Sequence, residues 1–108
     1  MPEYFQHLPN RVGFAPSRMT KLDCFRSGRL FVGLNCFEPG QTQPAHVHAG
    51  ADKVYVVLSG KATFRVGDET RDAGPQDLVI APAGVAHGVD RVAERTVVLV
   101  AIAPAPGS

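Results

Sequence analysis

With 108 residues and a formal net charge of +1, the chain suffices for one continuous hydrophobic core and is read as a single domain. Its 11 basic and 10 acidic residues are dispersed, so neither a nucleic-acid footprint nor a polybasic membrane patch is expected. The longest apolar run, Thr96 to Pro106, falls far short of the roughly 20 residues that cross a bilayer. The opening Met1-Pro-Glu-Tyr-Phe-Gln-His7 lacks the basic start and apolar stretch of a secretory signal, so a cytoplasmic protein with no membrane and no nucleic-acid partner is expected.

In chain order, residues 1–25 read as an N-terminal arm. Tyr4, Phe5 and Phe14 are too apolar for a solvated arm, which is therefore expected to pack on the following barrel or on a second subunit. The barrel is expected over 26–103. Arg29 to Phe37 is a strand ending at the turn Glu38-Pro-Gly40, and Lys53 to Leu58 is another, stopped by Ser59-Gly60. Lys61 to Val66 follows at once, which reads as a tight hairpin at Ser-Gly, and Gly67-Asp68-Glu69 makes a further hairpin turn. Leu78 to Ala81 is a short buried strand ending at Pro82-Ala-Gly84. Arg95 to Ala103 is the last strand, and 104–108 is expected to fray. No segment joins 3.6-residue periodicity to helix start and stop signals. Short strands punctuated by Gly and Pro define an all-β sandwich or barrel.

The stretch with most chemistry is Pro44-Ala-His-Val-His48. In an extended strand, residues two apart share a face at about 6.5–7 Å, so His46 and His48 can offer two imidazoles to one point. Pro82 and Gly84 end a strand sharply, and His87 opens the next where it can face the same cavity. Three imidazoles would grip a transition metal and leave positions open for water or substrate, the pattern of reactive sites. His7 is read as a surface residue. Cys24 and Cys36 lie too far apart for a Cys-x-x-Cys motif and read as buried thiols, with Cys36 a minor candidate should it face the histidines.

From Gly40 the order is five residues, His46-x-His48, four residues, Lys53, six residues, Gly60; later comes Pro82-x-Gly84, two residues, His87. This closely resembles the two motifs of the cupin superfamily, which implies an all-β double-stranded β-helix, or jelly-roll barrel. The first motif of that superfamily carries a glutamate where this chain has Lys53. Its second motif opens on a glycine where this chain has Gln76 and closes on an asparagine where it has Arg91. Asp77 resembles the family's turn aspartate and is expected to close a loop.

Lys53 leaves three readings open. It turns to the rim and pairs with Asp52 or Glu38; or it points inward to bind an anionic group or move a proton; or it replaces the charge of a lost metal. Tyr55 and Val57 share its strand parity. Tyr55 reads as a core tyrosine or as a donor to substrate, so Lys53 and Tyr55 are the candidate catalytic residues.

The resemblance implies an enzyme with one divalent transition metal (Fe, Mn, Zn or Ni) on His46, His48 and His87 and a small-molecule substrate. Three-histidine cupins resemble iron dioxygenases acting on diketones, aromatic diols or thiols, and non-redox relatives use the ion as a Lewis acid for isomerase, lyase or cyclase chemistry. The alternative is a binding module, metal-free in one form, that captures a small acid or sugar. Val54, Val56 and Leu58 point outward and are too apolar for solvent. A homodimer that covers them is expected.

Overall fold

The computed structural model describes residues 3–106. Those residues form a short 3-10 turn over Leu8–Arg11 and nine strands: β1 (Thr20–Arg26), β2 (Phe31–Phe37), β3 (Gln43–His46), β4 (Asp52–Ser59), β5 (Ala62–Val66), β6 (Glu69–Ala73), β7 (Leu78–Ala81), β8 (His87–Val92) and β9 (Thr96–Ala103). Two antiparallel sheets result, ordered β1-β2-β9-β4-β7 and β3-β8-β5-β6. Their facing sides close the double-stranded β-helix that the motifs imply.

Strand alternation decides what lines the interior. On β4, Lys53, Tyr55 and Val57 are buried while Asp52 and Leu58 are exposed, the period-two pattern of a sheet with one covered face. Phe37, Tyr55, Val57, Phe64, Val89, Val98 and Val100 meet between the sheets, each full burial of such an apolar side chain contributing about 1.5–3 kcal/mol. The central β9 is bonded on both sides by β2 and β4, which suits its β-branched run.

A second cluster lies on the outer face of the larger sheet. Leu34, Cys36 and Val97 are covered there by Leu8, Val12, Phe14, Leu22 and Cys24. The N-terminal segment thus packs on its own barrel at these positions, while Tyr4 and Phe5 stay exposed. Cys36 is on this outer side, away from the histidines. At the other end, Ala105 is buried and the Pro106 carbonyl accepts a bond from Arg26 at 2.8 Å; residues 107 and 108 of the expected frayed tail lie outside the described residues.

Three readings of the sequence are corrected. Ser59-Gly60 is no hairpin: β4 pairs with β7 and β9, β5 pairs with β6 and β8, and the dipeptide carries the chain from one sheet to the other. Gly60 has φ +83°, and a Cβ there would collide with the Arg95 carbonyl and Thr96, so the corner requires glycine. The strand at Leu78–Ala81 is buried on one face only: Ala81 sits in the core with Val79 packed against it, while the outward Leu78 and Ile80 are 58% and 56% exposed. Finally, β1 forms inside the segment read as an arm. The hairpin at Gly67-Asp68 is present, with Val66 opposite Glu69, and β6 is a strand that the sequence pattern does not mark.

Among the described residues, no helix is long and apolar enough to cross a membrane.

Candidate metal centre

The three histidines converge. His46 ends β3 and is the register partner of His87 at the start of β8, and His48 follows in the loop to β4. Two bonds fix that loop: Gly84 N–H donates to the His48 carbonyl at 2.9 Å, and Ala83 N–H donates to Asp52 Oδ1 at 2.9 Å. The Pro82–Gly84 turn is thereby tied to both sides of the loop bearing the second histidine. Gly88 lets β3 approach: a Cβ there would sit 2.7 Å from the Gln43 carbonyl oxygen and 2.9 Å from Ala45 N. Ring centroids are 4.8 Å apart for His46–His48, 4.4 Å for His46–His87 and 5.4 Å for His48–His87.

The protons are arranged for ligation. His46 Nδ1 donates to the Pro44 carbonyl at 3.0 Å and His87 Nδ1 to the Val85 carbonyl at 2.9 Å. A carbonyl only accepts, so Nδ1 carries a proton and the neutral form of each ring keeps its lone pair on Nε2. His87 Nε2 is buried with no hydrogen-bond partner. Burial, then repulsion from His46, Lys53 and Lys21, holds His48 below the usual imidazole range. Burial does the same to His87, opposed by its bond to Val85 and reinforced by His46, Lys53 and His48. Both rings are therefore neutral near pH 7. The candidate ligand atoms lie within 4.8 Å of one another, so inward ring shifts of about an ångström would bring them to the roughly 3–3.5 Å that neighbouring nitrogens on one ion span. This donor set fits a divalent transition ion.

Lys53 lies inward. It is 3% exposed, with Nζ 4.6 Å from the centre of the Tyr55 ring. The rim reading fails on its proposed partners: Glu38 is held by Arg95 through bonds of 2.8 and 3.0 Å, and Asp52 bonds Ala83. Burial, with Lys21 adding repulsion, brings the Lys53 ammonium down to about 8. Tyr55 is fully buried between Phe64 and His87, and its hydroxyl donates to Gln43 Oε1 at 3.3 Å. Burial pushes that hydroxyl well above the ordinary tyrosine range, so it keeps its proton.

A cavity of about 510 Å³ opens beside the histidines. His46, His48, Lys53, Asn35 and Gln43 line it, apolar wall comes from Phe31, Val100 and Ile102, and Lys21, Asp23 and Arg26 come from β1. Asn35 and Gln43 were missed in the sequence. Asn35 shares the inward parity of Phe37, and that single polar residue in an apolar strand was the available signal. Lys21 and Arg26 were missed with the strand that carries them.

A two-sheet β-helix with three histidines at one mouth defines a class of small barrel proteins. The family model of the cupin domain matches residues 33–103, and the chain belongs to that family. It is 39% identical over 83 residues to the uncharacterized protein SCO3923 of Streptomyces coelicolor, a span covering 77% of this chain and 78% of the other. Among solved structures it is similar to TT1209 from Thermus thermophilus, with 38% identity, a TM-score of 0.91, and coverage of 96% and 100% of the two chains. An RmlC-like cupin from Desulfovibrio desulfuricans matches with 30% identity, a TM-score of 0.84, and coverage of 94% and 97%. KdgF from Halomonas sp. shares the fold, with 18% identity, a TM-score of 0.84, and coverage of 99% and 97%.

Proposed function

We propose that this chain is a metal-dependent cupin enzyme acting on a small organic substrate, with one divalent ion (Fe, Mn, Zn or Ni) on His46, His48 and His87. The observation that carries the reading is His87 Nε2: buried, unpaired, and grouped with the ligand atoms of two further imidazoles within 4.8 Å of one another. An ion bound there supplies Lewis acidity for isomerase, lyase or cyclase chemistry or, if iron, dioxygenase-like redox chemistry. The chain's own groups do the rest. Pro44 and Val85 carbonyls hold two rings in the ligating tautomer. Lys53, titrating near 8, gives or takes a proton at Nζ close to neutral pH. Tyr55 fixes Gln43 at the cavity wall.

The second reading, a metal-free binding module, is favoured by one fact: Lys53 adds a buried positive charge near the imidazoles, which opposes a cation. Elemental analysis of untagged protein separates the two. About one equivalent of a transition metal per chain, lost in His48→Ala, supports the enzyme; less than about a tenth of an equivalent after incubation with Fe(II), Mn, Zn and Ni salts overturns it. Oxygen uptake by the Fe(II)-loaded protein over diketones, catechols and thiols then divides redox from Lewis-acid chemistry.

We also propose a homodimer in the cytoplasm. Val54, Val56, Leu58, Leu78 and Ile80 form a neutral aliphatic strip on the outer face, bordered by the free edge of β7. A two-fold axis there would cover the strip with its own copy, face against face. Both cysteines are free thiols, in keeping with a reducing compartment.

A further inference from the structure

Three buried polar side chains line the cavity: Lys53 at 3% exposure, Asn35 at 5% and Gln43 at 6%. Among the described residues, neither the Lys53 ammonium nor the Asn35 amide has a hydrogen-bond or ion-pair partner; Lys53 meets only the face of Tyr55. Gln43 lines the cavity too and receives the Tyr55 hydroxyl on its oxygen, while among the described residues its amide N–H groups have no hydrogen-bond partner. What the protein offers here is therefore mostly donors, an ammonium and two amide NH2 groups, beside the Asn35 amide oxygen. Lys53 and Asn35 line the cavity with their polar groups unengaged by the protein, so a ligand that brings acceptors meets an ammonium and amide groups free to bind it.

We propose that this cavity binds a small carboxylate, held by Lys53 Nζ and by the side-chain amides of Asn35 and Gln43, with the rest of the molecule directed to the three histidines. The inference rests on the reading of this cavity as the place where a small molecule meets those histidines. Charge at the mouth agrees: Lys21 and Arg26 stand there against one acid, Asp23. Arg26 is held in place by the Pro106 carbonyl at 2.8 Å and by the Phe31 ring at 4.7 Å. Fixed cations beside an apolar wall concentrate anions at the entrance. A neutral sugar fits less well, because it brings no negative charge to answer the Lys53 ammonium, and the carboxylates that hold sugar hydroxyls are here only Asp23, in the exposed part of β1. Phosphate would ask for more donors than one ammonium and two amides, and neither a helix N-terminus nor a glycine-rich loop opens on this cavity.

Calorimetric titration tests this with three acids and their amides: pyruvate, oxalate and malonate against pyruvamide, oxamide and malonamide, with inorganic phosphate as a further probe. Each is run on zinc-loaded and on metal-stripped protein. At least one acid should bind about tenfold or more tightly than its amide. Lys53→Met and Lys53→Gln should each abolish that preference while retaining zinc content and a cooperative melt. Amides binding as well as acids, phosphate binding more tightly than every carboxylate, or a preference untouched by both Lys53 variants would overturn the proposal. A preference that survives metal stripping in a protein that fails to retain zinc would end the metal reading alone. Zinc at full occupancy with no acid preference would end this inference alone.

Discussion

His46 and His87 are register partners across the β3–β8 pair, and each donates its Nδ1 proton to the carbonyl two residues before it in the chain. The two rings are thus oriented by the same local device on two strands. Their Nε2 lone pairs are left free, and His48 joins them because the Pro82–Gly84 turn pins the intervening loop.

Metal binding is expected to stabilise the fold. Zinc or nickel at a hundredfold excess over Kd adds about 2.7 kcal/mol, visible as a rise of roughly 10 °C or more in Tm. Both His87→Ala and His48→Ala should lose that rise. A metal-induced shift that persists in both variants would place the ion elsewhere.

Lys53 makes stability depend on alkaline pH. Unfolded, its ammonium titrates near 10.5; folded, near 8, because burial and Lys21 disfavour the charge. Between those values the unfolded chain binds more protons, so stability rises with pH across that window, and below about 8 the full penalty of about 3 kcal/mol is present. Lys53→Met should be about 2–3 kcal/mol more stable at pH 7, and the difference should shrink towards pH 10. Urea unfolding of both proteins at pH 7, 8, 9 and 10 measures it, and a pH-independent difference would contradict it.

Gln76 stands where the family motif has glycine, and it adopts φ +74° in the turn closed by Asp77 through Gly74 N–H at 2.9 Å. A left-handed conformation costs a non-glycine residue about 1 kcal/mol. Gln76→Gly should therefore raise stability by about 0.5–1 kcal/mol, less whatever the freer unfolded chain takes back. Chemical denaturation checks the sign.

Leu78→Asp together with Ile80→Lys should yield a monomer if a second copy covers the aliphatic strip on the larger sheet. Sedimentation velocity at micromolar concentration reads this directly. A monomeric wild-type protein would refute the dimer.

The histidine trio was legible from its motif spacing, although His48 lies in the loop after β3 and not on a shared strand face; the parity of Lys53, Tyr55 and Val57 was legible because alternation on β4 is unbroken. β1 and β6 were not. Glu69-Thr-Arg-Asp is exposed on both sides, so no apolar period marks it as a strand. Ser59-Gly60 misled because a tight hairpin and a corner between sheets ask for the same positive-φ glycine. Leu78–Ala81 misled because an apolar run does not reveal that only one of its faces is covered. Lys53 could not be placed by count alone: only the pairing of Glu38 with Arg95 and of Asp52 with Ala83 removes its rim partners.

Gly88 bears no donor, yet the backbone of Gln43 and Ala45 rests where its side chain would be. The gap between the two histidine-bearing strands is accordingly one methyl group from being wider. Gly88→Ala would act as a spacer, moving nitrogen atoms it never touches. Preference among ions of different radius would then be tunable from a position outside the coordination sphere.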